Sequence, residues 1–276
     1  MINEIPTNVK EQIINNYIDG TSIRALSIQY NYGYDRVRRL IKKANIEIRG
    51  NDFNSKKFKN NSHVFDVIDT EEKAYWLGFL YADGYVMERE NFRLQLSLSA
   101  NDIEHLKLFQ SFMQTDNPIR IYDGNHNNQY CRIIIIDNYL CKQLIEKGCF
   151  QNKTGKITYP RFLNESLHKH FIRGYVDGNG CITFHKVKAN PNRLAFALKI
   201  DSTREMLFEF NKLLPVKNKK EIPKLYKRRD NNVNDYSLEY GGNKQVLQLL
   251  DYLYGNSTIY LQRKYERYLL LKNMYS

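Results

Sequence analysis

Cysteine, proline and tryptophan are all scarce. The 276 residues hold 4 cysteines, 6 prolines and 1 tryptophan. No two of Cys131, Cys141, Cys149 and Cys181 stand as C-x-x-C. That excludes a zinc ribbon or a dithiol redox motif and points to reduced, packed thiols. Long apolar runs are missing as well. The most apolar stretch, 74–86, is too short for a bilayer and contains Asp83. The first residues, MINEIP, lack a basic segment followed by an apolar one, so no secretory leader is expected. Acidic residues are in deficit, with 30 Asp+Glu against 42 Lys+Arg and a formal net charge of +12. Such a balance points to a polyanionic partner, and a mean hydropathy of −0.61 argues against an integral membrane protein.

What is present is ample apolar material, 42% hydrophobic and 13% aromatic, with 21 tyrosines. This argues against general disorder and suffices for about two domains. Residues 8–49 read as three short helices. Val9, Ile13, Ile14 and Tyr17 share a helical face, and Gly20 suits a C′ stop. Thr21 or Ser22 can cap a second helix through Gln29. A third helix over 34–44 lines up Val37, Leu40, Ile41 and Ala44, and carries Arg36, Arg38, Arg39, Lys42 and Lys43 elsewhere on its surface. The segment resembles a helix-turn-helix of resolvases and phage proteins, which implies a recognition helix in the major groove. An ordinary three-helix cap with a solvated basic face is the alternative. We therefore assign 1–50 to this small all-α domain. The polar run NDFNSKKFKNNS makes 51–62 a basic linker, either a passive tether or a segment tracking phosphates.

An internal repeat dominates the rest. Trp76-Leu77-Gly78-Phe79-Leu80-Tyr81-Ala82-Asp83-Gly84 matches Ile172-Arg173-Gly174-Tyr175-Val176-Asp177-Gly178-Asn179-Gly180. Strand-like and helical segments follow each copy in the same order. This predicts an α+β fold of two tandem αββαββα halves, 63–150 and 151–276, with antiparallel sheets packed on helices. Gly78 with Ala82, and Gly174 with Gly178, put small residues four apart, a stripe that lets two helix backbones approach closely. Gly84 and Gly180 suit helix stops with positive φ. Paired side by side, the two helices bring Asp83 and Asn179 to one point on a pseudo-twofold axis.

At these residues the chain resembles the single-chain, two-motif LAGLIDADG homing endonucleases, in particular bacterial and phage members. The likeness runs from about Phe65 to the end. Supporting it are Thr70-Glu71-Glu72-Lys73-Ala74-Tyr75-Trp76, Gly148-Cys149-Phe150-Gln151-Asn152-Lys153, His170-Phe171-Ile172-Arg173-Gly174 and Tyr260-Leu261-Gln262-Arg263-Lys264-Tyr265. The resemblance implies intron homing by a Mg²⁺-dependent (or Mn²⁺-dependent) cut in a long, asymmetric double-stranded DNA site. It implies that the eighth motif position holds the metal, which is Asp83 here, with carbonyls from Ala82 and Gly178. It also implies basic residues near the site, for which Lys153 and Lys244 are the candidates. Gln95 and Lys199 on the second strands are candidates to face DNA. A pseudo-dimer within one chain implies a monomer, and a bacterial or phage-infected cytoplasm is the expected compartment.

The departure from the pattern is Asn179, where the second acid should stand. An amide oxygen can ligate but is neither charged nor basic. Asp177, two residues earlier, is expected to cap or orient the helix end. Three outcomes stay open: an adequate ligand, a preference for nicking one strand, or a dead site. The competing class is a non-cleaving DNA-binding regulator, or a maturase acting on intron RNA. His126, His168, His170 and His185 show no metal-ligand spacing and are read as incidental.

Overall fold

The computed structural model describes residues 5–18, 21–46, 48, 58–88, 92–124, 128–188, 190–216, 222–228 and 233–275, without the side chains of 191 and 192. Gly20, residues 51–57, Arg89 and His126 lie outside the described residues. The chain divides into two units, 1–57 and 58–276.

The first unit holds α1 (Thr7–Ile18), α2 (Ile23–Gln29) and α3 (Tyr34–Lys43). Ser22 is the cap of α2, its hydroxyl accepting from Ala25 N at 3.1 Å. Ile5, Ile13, Tyr17, Ile23, Leu26, Val37 and Ile41 form its core. That core uses only a narrow stripe of α3. Arg38, Arg39, Lys42 and Lys43 remain exposed, while Arg36 is half-buried with its guanidinium 5.1 Å from the Tyr32 ring centre.

The second unit runs α4 (Glu71–Asp83), β1 (Gly84–Met87), β2 (Arg93–Ser99), α5 (Ile103–Phe112), β3 (Arg120–Asp123), β4 (Gln129–Ile136) and α6 (Asn138–Glu146). It then repeats with α7 (His168–Asn179), β5 (Gly180–Val187), β6 (Asn190–Ser202), α8 (Arg204–Leu213), β7 (Leu225–Lys227), β8 (Tyr236–Gly241) and α9 (Asn243–Tyr254). The two four-stranded antiparallel sheets have the same order, β1-β2-β4-β3 and β5-β6-β8-β7. Alternation explains their two faces. On β2, Leu94, Leu96 and Leu98 are buried against the helices, and Arg93, Gln95 and Ser97 face outward.

Three expectations change. The stretch 58–62 is packed rather than a tether: Asn61 N donates to Met113 O at 2.8 Å, and Asn60 Nδ2 to Asp137 at 2.9 Å. A further helix, α10 (Gln262–Asn273), closes the chain, burying Lys264, Tyr268 and Leu271. Gly84 and Gly180 are extended, with φ −69° and −97°, not left-handed. Glycine is needed there for space, because a Cβ would strike the carbonyls of Leu80 and Val176.

Candidate active site

The motif helices α4 and α7 cross backbone to backbone. A Cβ on Gly78 would collide with the carbonyl of Phe171, and one on Gly174 with the carbonyl of Tyr75. At the end of the crossing, a Cβ on Gly178 would meet the Ala82 methyl and lie 3.3 Å from Asp83 Oδ2. The Asp83 carboxylate therefore hangs over the end of the other motif helix.

Register extends this point into both sheets. Gly84 pairs with Leu96, so Asp83 aligns one step back with Ser97, which pairs with Arg132, which pairs with Arg120. In the second half Gly180 pairs with Ile200, so Asn179 aligns with Asp201, then Ser237, then Tyr226. Asn179 Nδ2 donates to the Asp201 carbonyl at 2.8 Å, which turns its amide oxygen the other way. Asp201 accepts from Arg228 Nε at 3.2 Å and from Ser237 Oγ at 2.5 Å. A cleft of about 170 Å³ opens beside Asn179, lined by Lys153, Tyr175, Ser202, Arg228 and Asp235.

Asp83 receives no hydrogen bond from protein among the described residues. Desolvation by the surrounding protein raises its pKa, against the pull of Lys264, Lys153 and Arg263. A carboxylate, an amide oxygen and two helix-end carbonyls are a hard oxygen set, which fits Mg²⁺ or Mn²⁺ with retained waters. No group of three or more His, Cys, Asp or Glu side chains that could hold a metal ion stands among the described residues.

Two lysines, half-buried Lys153 and buried Lys264, tie off the helix ends. Lys153 Nζ donates to Leu80 O at 2.7 Å and to Gly84 O. Lys264 Nζ does the same on α7, to Val176 O and Asp177 O at 2.7 Å and Gly180 O at 2.6 Å. Each ammonium meets the negative end of a helix dipole. Burial lowers both pKa values, that of Lys264 to about 8. Lys264 therefore takes the place in the second half that Lys244 was expected to fill. Lys244 is exposed at the start of α9, where Asn243 is held by Phe196 N and Leu194 O, several residues along β6 from Asp201. The signal was in the sequence: Gln151-Asn152-Lys153 and Gln262-Arg263-Lys264 share Gln-x-Lys.

Asp177 neither caps α7 nor approaches the site. It is fully buried and accepts from Tyr75 at 2.8 Å, Tyr254 at 2.6 Å and Leu261 N at 2.8 Å. Gln95 faces outward and reaches Ser97 Oγ at 3.4 Å, while Lys199 faces outward 3.6 Å from Glu239. His170 lies 3.1 Å from Arg173 Nη1, and His168 3.1 Å from Leu163 O.

No family model and no curated protein matches the sequence. Solved structures do. Meganuclease I-SmaMI bound to uncleaveable DNA with a TTCT central four aligns at TM-score 0.51 and 11% identity, over 74% of this chain and 90% of that one. The same protein with a TTGT central four aligns at 0.51 and 11%, over 75% and 91%. The chain has the LAGLIDADG homing-endonuclease fold. The fold assignment covers the 58–276 unit's doubled motif and its paired sheets. The crossed helices α4 and α7 end at Asp83 and Asn179.

Proposed function

We propose that the chain is a site-specific, metal-dependent DNA endonuclease that cuts a long, asymmetric double-stranded site. The observation that supports it most is the crossing of α4 and α7, which sets Asp83 against Gly178 where each helix runs directly into the first strand of its sheet. Asp83, the Asn179 amide oxygen and the carbonyls of Ala82 and Gly178 would hold the cation. A bound Mg²⁺ neutralises phosphate charge and lowers the pKa of its water. Asp83 supplies the one ionised ligand and orients it. Lys153 and Lys264 hold the carbonyls behind it and set a positive potential under the phosphates. The sheet faces, with Gln95 on one and Lys199 on the other, lie along the DNA grooves. Both half-sites come from one polypeptide, so the working unit is a monomer.

The 1–57 unit adds recognition length. It reads as a helix-turn-helix whose α3 enters the major groove, with Arg38, Arg39, Lys42 and Lys43 outermost and Arg36 on the flank. Asn179 favours one second reading: a half-site without a carboxylate weakens cleavage of one strand, giving a nickase or a non-cleaving binder. The test is incubation with a randomised DNA library in Mg²⁺ and in EDTA, followed by sequencing of the broken ends. Breaks at one long sequence in Mg²⁺ alone are expected. Specific binding with no breaks moves the assignment to a regulator or maturase.

A further inference from the structure

The outer face of the first sheet carries one arginine that is already immobilised. Arg132 sits on β4, in the row that leads through Ser97 to Asp83. Its Nε donates to Ser97 Oγ at 3.0 Å. Its guanidinium carbon lies 5.0 Å from the ring centre of Tyr122 and 5.1 Å from that of Tyr130. Those rings are themselves stacked, 5.3 Å apart and 15° from parallel. Arg132 forms no ion pair among the described residues. The clamp therefore engages Nε and the guanidinium face, and neither terminal amino group donates to protein among the described residues.

A phosphate-contacting cation gains little from such a clamp, since a mobile side chain at the rim serves as well. A base reader gains a great deal. Two parallel donors match O6 and N7 of guanine in the major groove, and fixing them beforehand removes the entropy of ordering a long side chain. Among the described residues the second half has no equivalent in this row. Ser237 takes the place of Arg132 and Asp201 that of Ser97, while Lys199 is paired with Glu239 and Arg228 with Asp201.

We propose that Arg132 is a specificity-determining residue that reads a guanine in the half-site bound by the first sheet, with Tyr122, Tyr130 and Ser97 positioning it. This rests on the endonuclease reading of the same face. The test is selection of bound DNA from a randomised duplex library in Ca²⁺, using the full chain, Arg132→Lys, Arg132→Ala and Tyr122→Leu, each checked by thermal melting. The wild type is expected to require a G·C pair at one position. Arg132→Lys keeps the charge and should lose that preference by about tenfold or more, with other positions unchanged. Tyr122→Leu should blur the same position. If Arg132→Lys retains every preference, or Arg132→Ala weakens all sequences equally, Arg132 contacts phosphate only and the proposal falls. A wild-type protein that enriches no sequence overturns the endonuclease reading along with it.

Discussion

The two halves share a backbone plan but carry different chemistry in the row that starts at each motif end. The first row is Asp83, Ser97, Arg132, Arg120; the second is Asn179, Asp201, Ser237, Tyr226. The carboxylate of the second half stands one strand further out, about 5 Å away, and Arg228 neutralises it. A duplicated fold thus fixes where side chains stand without fixing which half performs the charged step.

The halves are alike at the helix crossing, so breaking either side should be equally severe. Gly78→Val and Gly174→Val each drive a side chain into a facing carbonyl and should destabilise by about 3 kcal/mol or more, read by denaturant melting. Away from the crossing the halves should diverge. Asp83→Asn is expected to abolish cutting, about 10³-fold or more, while DNA affinity stays within a few-fold. Asn179→Asp restores the second carboxylate and should raise or rebalance strand cleavage. Loss of activity there would show that Asn179 is more than a weak replacement ligand.

Stability should also titrate differently at the two ends. Burial holds His105, on α5, neutral with a pKa near 3, against 6.5 when unfolded. Its contribution is complete above pH 6.5 and is lost as pH falls from 6.5 toward 3. Lys264 in the second half, near 8 when folded and 10.5 when unfolded, favours folding more as pH rises from 8 to 10.5. Fully developed, the effects are on the order of 5 kcal/mol for His105 and 3 kcal/mol for Lys264. Melting temperatures of His105→Gln and Lys264→Met against pH separate the two ranges. The smallest change is expected from removing residues 1–57, which should weaken binding and lower its salt dependence as phosphate contacts are lost.

The doubled motif made the two halves, the crossing and the meeting of Asp83 with the other helix legible in the sequence, because small residues four apart let two helix backbones approach closely. The first sheet's inner face was legible as alternation at Leu94, Leu96 and Leu98. The rows were not, since register across three strands cannot be read from spacing in one. Lys264 was hidden because a lysine inside an amphipathic helix reads as solvated until the packing around it is known. The C-terminal helix itself gave a poor signal, its buried stripe of Lys264, Tyr268 and Leu271 being half polar.

The central claim is that Asp83 carries the metal-dependent chemistry and Asn179 the weaker half. Strand-resolved cleavage of a selected target, wild type beside Asp83→Asn in Mg²⁺, tests it most directly. The account predicts breaks in both strands at unequal rates for the wild type and none for the variant. Breaks that persist in Asp83→Asn, or equal rates on both strands, would contradict it.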